Sequence, residues 1–164
     1  MSSFFASGSA YQAFATLSEY RSGLDVVIAT AITELVIFDS DLQDMALEDV
    51  LRADLLRTFL AGGVHRSVRI VLRDPTYLNS RAARTQRLLR DFSAQIDVRV
   101  ATEVKETDAY VCNDAGVCLL HPHYQHAKSI LTLDDKSRWR LLCSRFELLF
   151  VAANVVVAAT HLGL

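Results

Sequence analysis

Between Thr107 and Asp135, twenty-nine residues hold three histidines, His121, His123 and His126, together with Lys128 and the adjacent carboxylates Asp134 and Asp135. With Cys112 and Cys118 close by in sequence, the histidines offer the nitrogen and sulfur ligands that zinc takes. Their spacing matches none of the established ligand patterns, and a histidine-rich loop beside a turn more often serves backbone hydrogen bonds, so no metal and no cofactor is expected. The two cysteines read as small apolar packing residues opposed across a hairpin. Further carboxylates, Asp39 and Asp41, follow an apolar run, and Arg73-Asp74-Pro75 closes another. Polar groups at such strand ends either contact a ligand or cap the next helix, which makes Asp39, Asp41 and Arg73 candidate ligand contacts. Arg81, Arg84, Arg87 and Arg90 form a drifting basic stripe that reads as a solvated face. Trp139 and Tyr124 read as core or rim packing.

These residues need elements to hold them. Leu24, Val27, Ile28 and Ala31 recur at helical spacing within Leu17 to Ile32, with Ser18 placed to cap. Leu35 to Phe38 is a short apolar run, the mark of a buried strand. The stripe Leu47, Val50, Leu51, Leu55, Phe59 and Leu60 predicts a second helix stopped by Gly62-Gly63, followed by a strand at Val68 to Leu72. A third helix from about Leu78 to Phe92 and a strand from Ile96 to Val100 complete three helix–strand units. Asn113-Asp114-Ala115-Gly116 then turns Tyr110-Val111-Cys112 onto Val117 to Leu120 as an antiparallel hairpin, with Gly116 free to take a positive φ. His121 to Lys136 reads as a polar connection with an apolar patch, and Trp139 to Phe150 as a long helix lying on the sheet. The expected whole is one α/β domain over 1–164, with tails at 1–16 and 155–164. Its sheet is mixed and mostly parallel, of about five strands, with helices on both faces.

Leu35-Val36-Ile37-Phe38-Asp39-Ser40-Asp41-Leu42, Arg87-Leu88-Leu89, the hairpin and the ending Leu162-Gly163-Leu164 together resemble an uncharacterised bacterial domain family distantly related to the phospholipase D superfamily. The resemblance implies one half of a phospholipase D fold, whose motif is His-x-Lys, four residues, then Asp. In that family the histidine attacks phosphorus and the lysine holds phosphate oxygens. His126-Ala127-Lys128 supplies the triplet, but Asp134 lies one residue too far. On the strand where the family carries its motif, the matching positions are Thr107, Ala109 and Asp114, so only the aspartate survives. Asp39 and Asp41 are also similar to the Asp-x-Asp of haloacid-dehalogenase-like phosphotransferases, in which magnesium lies between the carboxylates. Leu42-Gln43 departs from that pattern, and no lysine stands in a matching place after the second strand. The favoured reading is a non-catalytic interaction or phosphate-ligand-binding module, with Asp39, Asp41, Asp114 and Arg73 as ligand contacts. The alternatives are a homodimeric phosphodiesterase using His126, Lys128 and Asp134, and a magnesium-dependent phosphohydrolase at Asp39 and Asp41.

Composition narrows the setting. The 164 residues are 51% hydrophobic and 22% charged, a globular balance, and the net charge of −2 gives no overall basic field to draw nucleic acid. Three cysteines fit reduced thiols. The start, Met1-Ser2-Ser3-Phe4-Phe5, lacks a signal peptide's pattern, and no apolar run is long enough for a membrane span, so a cytoplasmic location is expected. Expected partners are a second copy of the chain, a protein, or a phosphate-containing ligand.

Overall fold

A computed structural model describes residues 11–157. Along the chain run β1 (Tyr11–Phe14), α1 (Leu17–Thr30), β2 (Glu34–Asp39), α2 (Val50–Ala61), β3 (Ser67–Leu72), α3 (Thr76–Arg81) and α4 (Ala83–Asp91). They are followed by β4 (Ile96–Val100), β5 (Ala109–Asn113), β6 (Cys118–His121), β7 (Ser129–Thr132), α5 (Lys136–Ala152) and β8 (Asn154–Val157). The strands form one sheet in the order β1-β7-β6-β5-β2-β3-β4-β8.

The α/β class and the helices on both faces are as expected. Strand alternation sends Leu35 and Ile37 of β2 toward the core under α1, α2 and α4, while Val36 and Phe38 pack with Leu142, Phe146 and Phe150 of α5. Strand number and direction differ from expectation. Among the described residues the sheet has eight strands, and only β2–β3 and β3–β4 are parallel; the pairs β1–β7, β2–β5, β4–β8, β5–β6 and β6–β7 are antiparallel. β5, β6 and β7 follow one another through connections without a helix, which pairs them antiparallel, and α5 then crosses the sheet from β7 to β8. The connection expected from His121 to Lys136 contains β7. The tails expected at 1–16 and 155–164 contribute β1 and most of β8; Phe4 and Phe5 lie outside the described residues.

Local capping explains the other differences. The cap of α1 lies two residues before Ser18, because Thr16 Oγ1 accepts the Glu19 N–H at 3.1 Å and Glu19 Oε1 accepts from the Ala15 N–H and the Thr16 hydroxyl. The helix expected from Leu78 to Phe92 breaks at Ala82. Glu48 reaches over from the loop before α2 and takes the N–H groups of Arg84 and Thr85 with its carboxylate, capping α4 separately. Gly116 does take φ +85° in the hairpin loop.

Candidate ligand-binding site

β2 and β3 end side by side, and the groups gathered there are polar and buried. Asp39, the last residue of β2, accepts the Leu42 N–H at 2.7 Å on a carboxylate that is 3% exposed. Leu42 adopts φ 74°, a left-handed conformation that a branched side chain enters at a cost, and its N–H supplies the Asp39 bond. Burial pushes the Asp39 carboxyl up to about 6, against the pull of the Leu42 N–H, with Asp41 and Asp44 adding to the rise.

β5 and β6 extend this end. Ala109 pairs with His121 across β5–β6, and one step past the Phe38–Tyr110 pair Asp39 stands opposite Ala109. Asp39, Ala109 and His121 therefore make a row across three strands, Ala109 wholly buried between a carboxyl and an imidazole. The Tyr20 ring of α1 lies 4.9 Å from the His121 ring. His121 Nε2 meets the His126 carbonyl; His121 Nδ1 and the Tyr20 hydroxyl are both buried with no hydrogen-bond partner among the described residues. Burial, with Asp39 and Asp44 nearby, raises the Tyr20 phenol well above its ordinary range.

Arg73 stands at the rim. Its guanidinium lies 4.3 Å from the Phe38 ring centroid and 5.0 Å from that of Tyr124, and it donates to the carbonyls of Glu106 and Asp108. Nη1 is buried and unpaired. Burial lowers the Arg73 pKa while Asp39 and Asp108 oppose the fall, and the group stays charged. The loop that holds it is clamped by a two-pronged ion pair, Arg145 Nη1 and Nη2 to Asp108 at 2.7 and 3.0 Å. Sequence reasoning reached Asp39 and Arg73 but missed Tyr20, Asp108 and Arg145. Nothing local marks those three; α1 and α5 bring two of them in only once packed.

The remaining sequence candidates lie elsewhere. Asp114 is at the other end of β5, where its carboxylate accepts from Ile32 N, Thr33 N and the Thr33 hydroxyl. Burial alone would raise its pKa, but these bonds outweigh it and lower it. Asp41 is occupied by the Gln43 N–H and side-chain amide. His126 and Lys128 are exposed just before β7, with His126 stacked 4.5 Å from His123; Asp134 is exposed beyond the other end of β7, on an open cleft of about 540 Å³ at the start of α5. Alternation on β6 sends Cys118 toward α5 and His121 toward α1, so sulfur and imidazole face opposite sides of the sheet. Among the described residues no group of three or more His, Cys, Asp or Glu is arranged to hold a metal ion, and no helix is long and apolar enough to cross a membrane. Arg81, Arg84, Arg87 and Arg90 are all exposed.

This architecture is the fold of phospholipase D superfamily members. NucT from Helicobacter pylori matches with a TM-score of 0.64 at 14% identity, over 89% of this chain and 98% of its own. Nuc from Salmonella typhimurium, a phospholipase D family member, matches at 0.56 and 11% identity, over 84% and 91%. TrmBL2, an archaeal chromatin protein with a novel mode of DNA binding, matches at 0.67 and 12% identity over 93% of this chain, which spans 56% of that longer one. The expected distant relation to the superfamily thus holds in the fold. The chain belongs to a family described as a domain of unknown function, DUF7931, whose model matches residues 16–156. No curated protein matches it in sequence.

Proposed function

We propose that the chain is a non-catalytic module that binds a phosphate-containing ligand at the carboxyl end of β2 and β3. The observation that carries the reading is the row Asp39, Ala109, His121. On the register that the resemblance implies, the lysine position holds the buried methyl group of Ala109 at the start of β5 and the histidine position holds Thr107 just before that strand, so neither a nucleophile nor an ammonium is supplied there. Arg73 remains, with a nitrogen unpaired and its ring partners fixing the guanidinium plane. Such a group suits phosphate oxygens. The DNA binding of TrmBL2 adds a nucleic-acid backbone to the ligands worth testing and gives no support to the expectation against nucleic acid.

The test is titration with inorganic phosphate and with a short single-stranded oligonucleotide, alongside turnover of bis-p-nitrophenyl phosphate. Saturable binding weakened about tenfold or more in Arg73→Ala, with no turnover, is expected. Equal binding by wild type and Arg73→Ala would remove Arg73 from the site.

A second reading rests on the exposed triplet before β7. His126 and Lys128 would serve a phosphodiesterase completed by a second copy, meeting on the exposed Leu141, Leu148 and Val151 of α5. Turnover that survives chelator and vanishes in His126→Ala would favour it over the binding module. A monomer in light scattering would count against it.

A further inference from the structure

Three sulfurs meet between the sheet and α5, on the opposite face from Tyr20 and His121. Cys112 and Cys118 are register partners on β5 and β6, both buried, with their sulfurs 2.8 Å apart. Across that gap either thiol can donate to the other. The Asn113 N–H donates to the Val117 carbonyl at 3.1 Å, which makes 113 and 117 a hydrogen-bonded pair and places Cys112 and Cys118 at the next, non-hydrogen-bonded position. Cα atoms there approach to about 4.5 Å, within the roughly 4.4–6.8 Å that a disulfide spans. Cys143 of α5 is half-buried and shares with Cys112 a cavity of about 200 Å³, walled also by Trp139, Glu34 and Glu147.

We propose that Cys112, Cys118 and Cys143 form a hydroperoxide-responsive thiol site, in which Cys143 is oxidised first and the product is a Cys112–Cys118 disulfide across the hairpin. The Cys143 thiolate attacks one oxygen of the hydroperoxide; the O–O bond breaks, the alcohol or water leaves with a proton, and Cys143 becomes a sulfenic acid. The Cys112 sulfur then attacks the Cys143 sulfur, and the departing hydroxyl takes the Cys112 proton away as water. The Cys118 sulfur attacks Cys112 in turn, and its proton passes to Cys143, which leaves as a thiol. Overall one peroxide is reduced by two electrons and one dithiol is oxidised. The sulfurs differ in the way this order requires. Hydrogen bonding from Cys112 holds the Cys143 thiol below its ordinary range despite burial, whereas contacts with Cys118 and Cys143 push Cys112 up.

The experiment treats the reduced full chain with hydrogen peroxide, counts thiols in denaturant and maps disulfides by non-reducing peptide digestion. Two of the three thiols are expected to disappear and to return with dithiothreitol, the map joining Cys112 to Cys118. Cys143→Ser slows the loss by about tenfold or more, as removal of the more acidic, accessible thiol requires. Cys118→Ala halts at a Cys112–Cys143 bridge, and Cys112→Ala leaves a sulfenic acid on Cys143 that dimedone labels. Three thiols still titrating in treated wild type would overturn the proposal without recourse to any variant. Disulfide formation at the wild-type rate in Cys143→Ser would overturn the entry role of Cys143.

Discussion

The two ends of the β2–β5–β6 unit handle buried polarity in opposite ways. At the hairpin end, the Asn113 side chain donates to Val27 O and Thr30 Oγ1 and accepts from the Ala115 and Val117 N–H groups, while Asp114 closes over Ile32 and Thr33. Trp139 Nε1 completes the set by donating to the Asn113 carbonyl at 2.7 Å. At the carboxyl end, Tyr20 OH, His121 Nδ1 and Arg73 Nη1 are buried without partners among the described residues, beside a carboxyl held far from its ordinary pKa. A satisfied network specifies a fold; an unsatisfied one costs stability and remains open to a ligand's donors and acceptors. The contrast teaches that the Asp114 carboxylate is spent on the backbone and hydroxyl of Ile32 and Thr33, whereas unpaired polar groups gather at the other end, where the proposed binding is placed.

Replacing the satisfied Asn113 and the penalised Asp39 should therefore have effects of opposite sign. The largest effect is expected for Asn113→Ala, which strands buried amides and a carbonyl and should lower unfolding free energy by roughly 3–5 kcal/mol in urea. Asp39→Asn should do the reverse. A carboxyl whose folded pKa is raised penalises the fold above that pKa and ceases to do so once protonated in both states, so the wild type should lose stability as pH rises from the ordinary carboxyl range through about 6. The amide still accepts the Leu42 N–H, and the variant should be more stable by about 3 kcal/mol at pH 8, with a flattened profile over that window. A wild-type profile flat over the same window would break the comparison. Arg145→Ala removes the clamp on Asp108 and should cost about 2 kcal/mol while weakening phosphate binding through the Arg73 loop, measured by titration and denaturation together. Smallest is Tyr20→Phe, expected to stabilise by under about 1 kcal/mol, since it deletes a hydroxyl with no protein partner; a large loss would show that the hydroxyl is engaged.

Much of the framework was legible because burial on both faces writes itself as an apolar run. Leu35 to Phe38 and Val68 to Leu72 fall within β2 and β3, and Leu142, Phe146 and Phe150 do lie on the sheet. The N-terminal cap of α1 was misread as Ser18, although Thr16-Leu17-Ser18-Glu19 spells a capping box. The short strands were not legible. β7 is Ser-Ile-Leu-Thr with Ser129 and Thr132 buried as polar residues, and β1 buries only Phe14, so neither carries a strand's usual pattern. The break at Ala82 depends on Glu48, thirty-four residues earlier, and no helical period records that. At the site, Asp39 and Arg73 were visible as strand ends. The row through Ala109 to His121 needed the register of three strands, and an alanine announces nothing about what flanks it.

Among the described residues the order β1-β7-β6-β5-β2-β3-β4-β8 places β1 and β8 at opposite edges of the sheet. Each is four residues long, and each shields a neighbour, β7 or β4, whose outer backbone groups would otherwise face solvent. Lifting β1 away would turn β7 into a template on which an extended segment of another molecule can lay down its own hydrogen bonds, so the sheet is open to growth by strand exchange at the edge nearest His126 and Lys128.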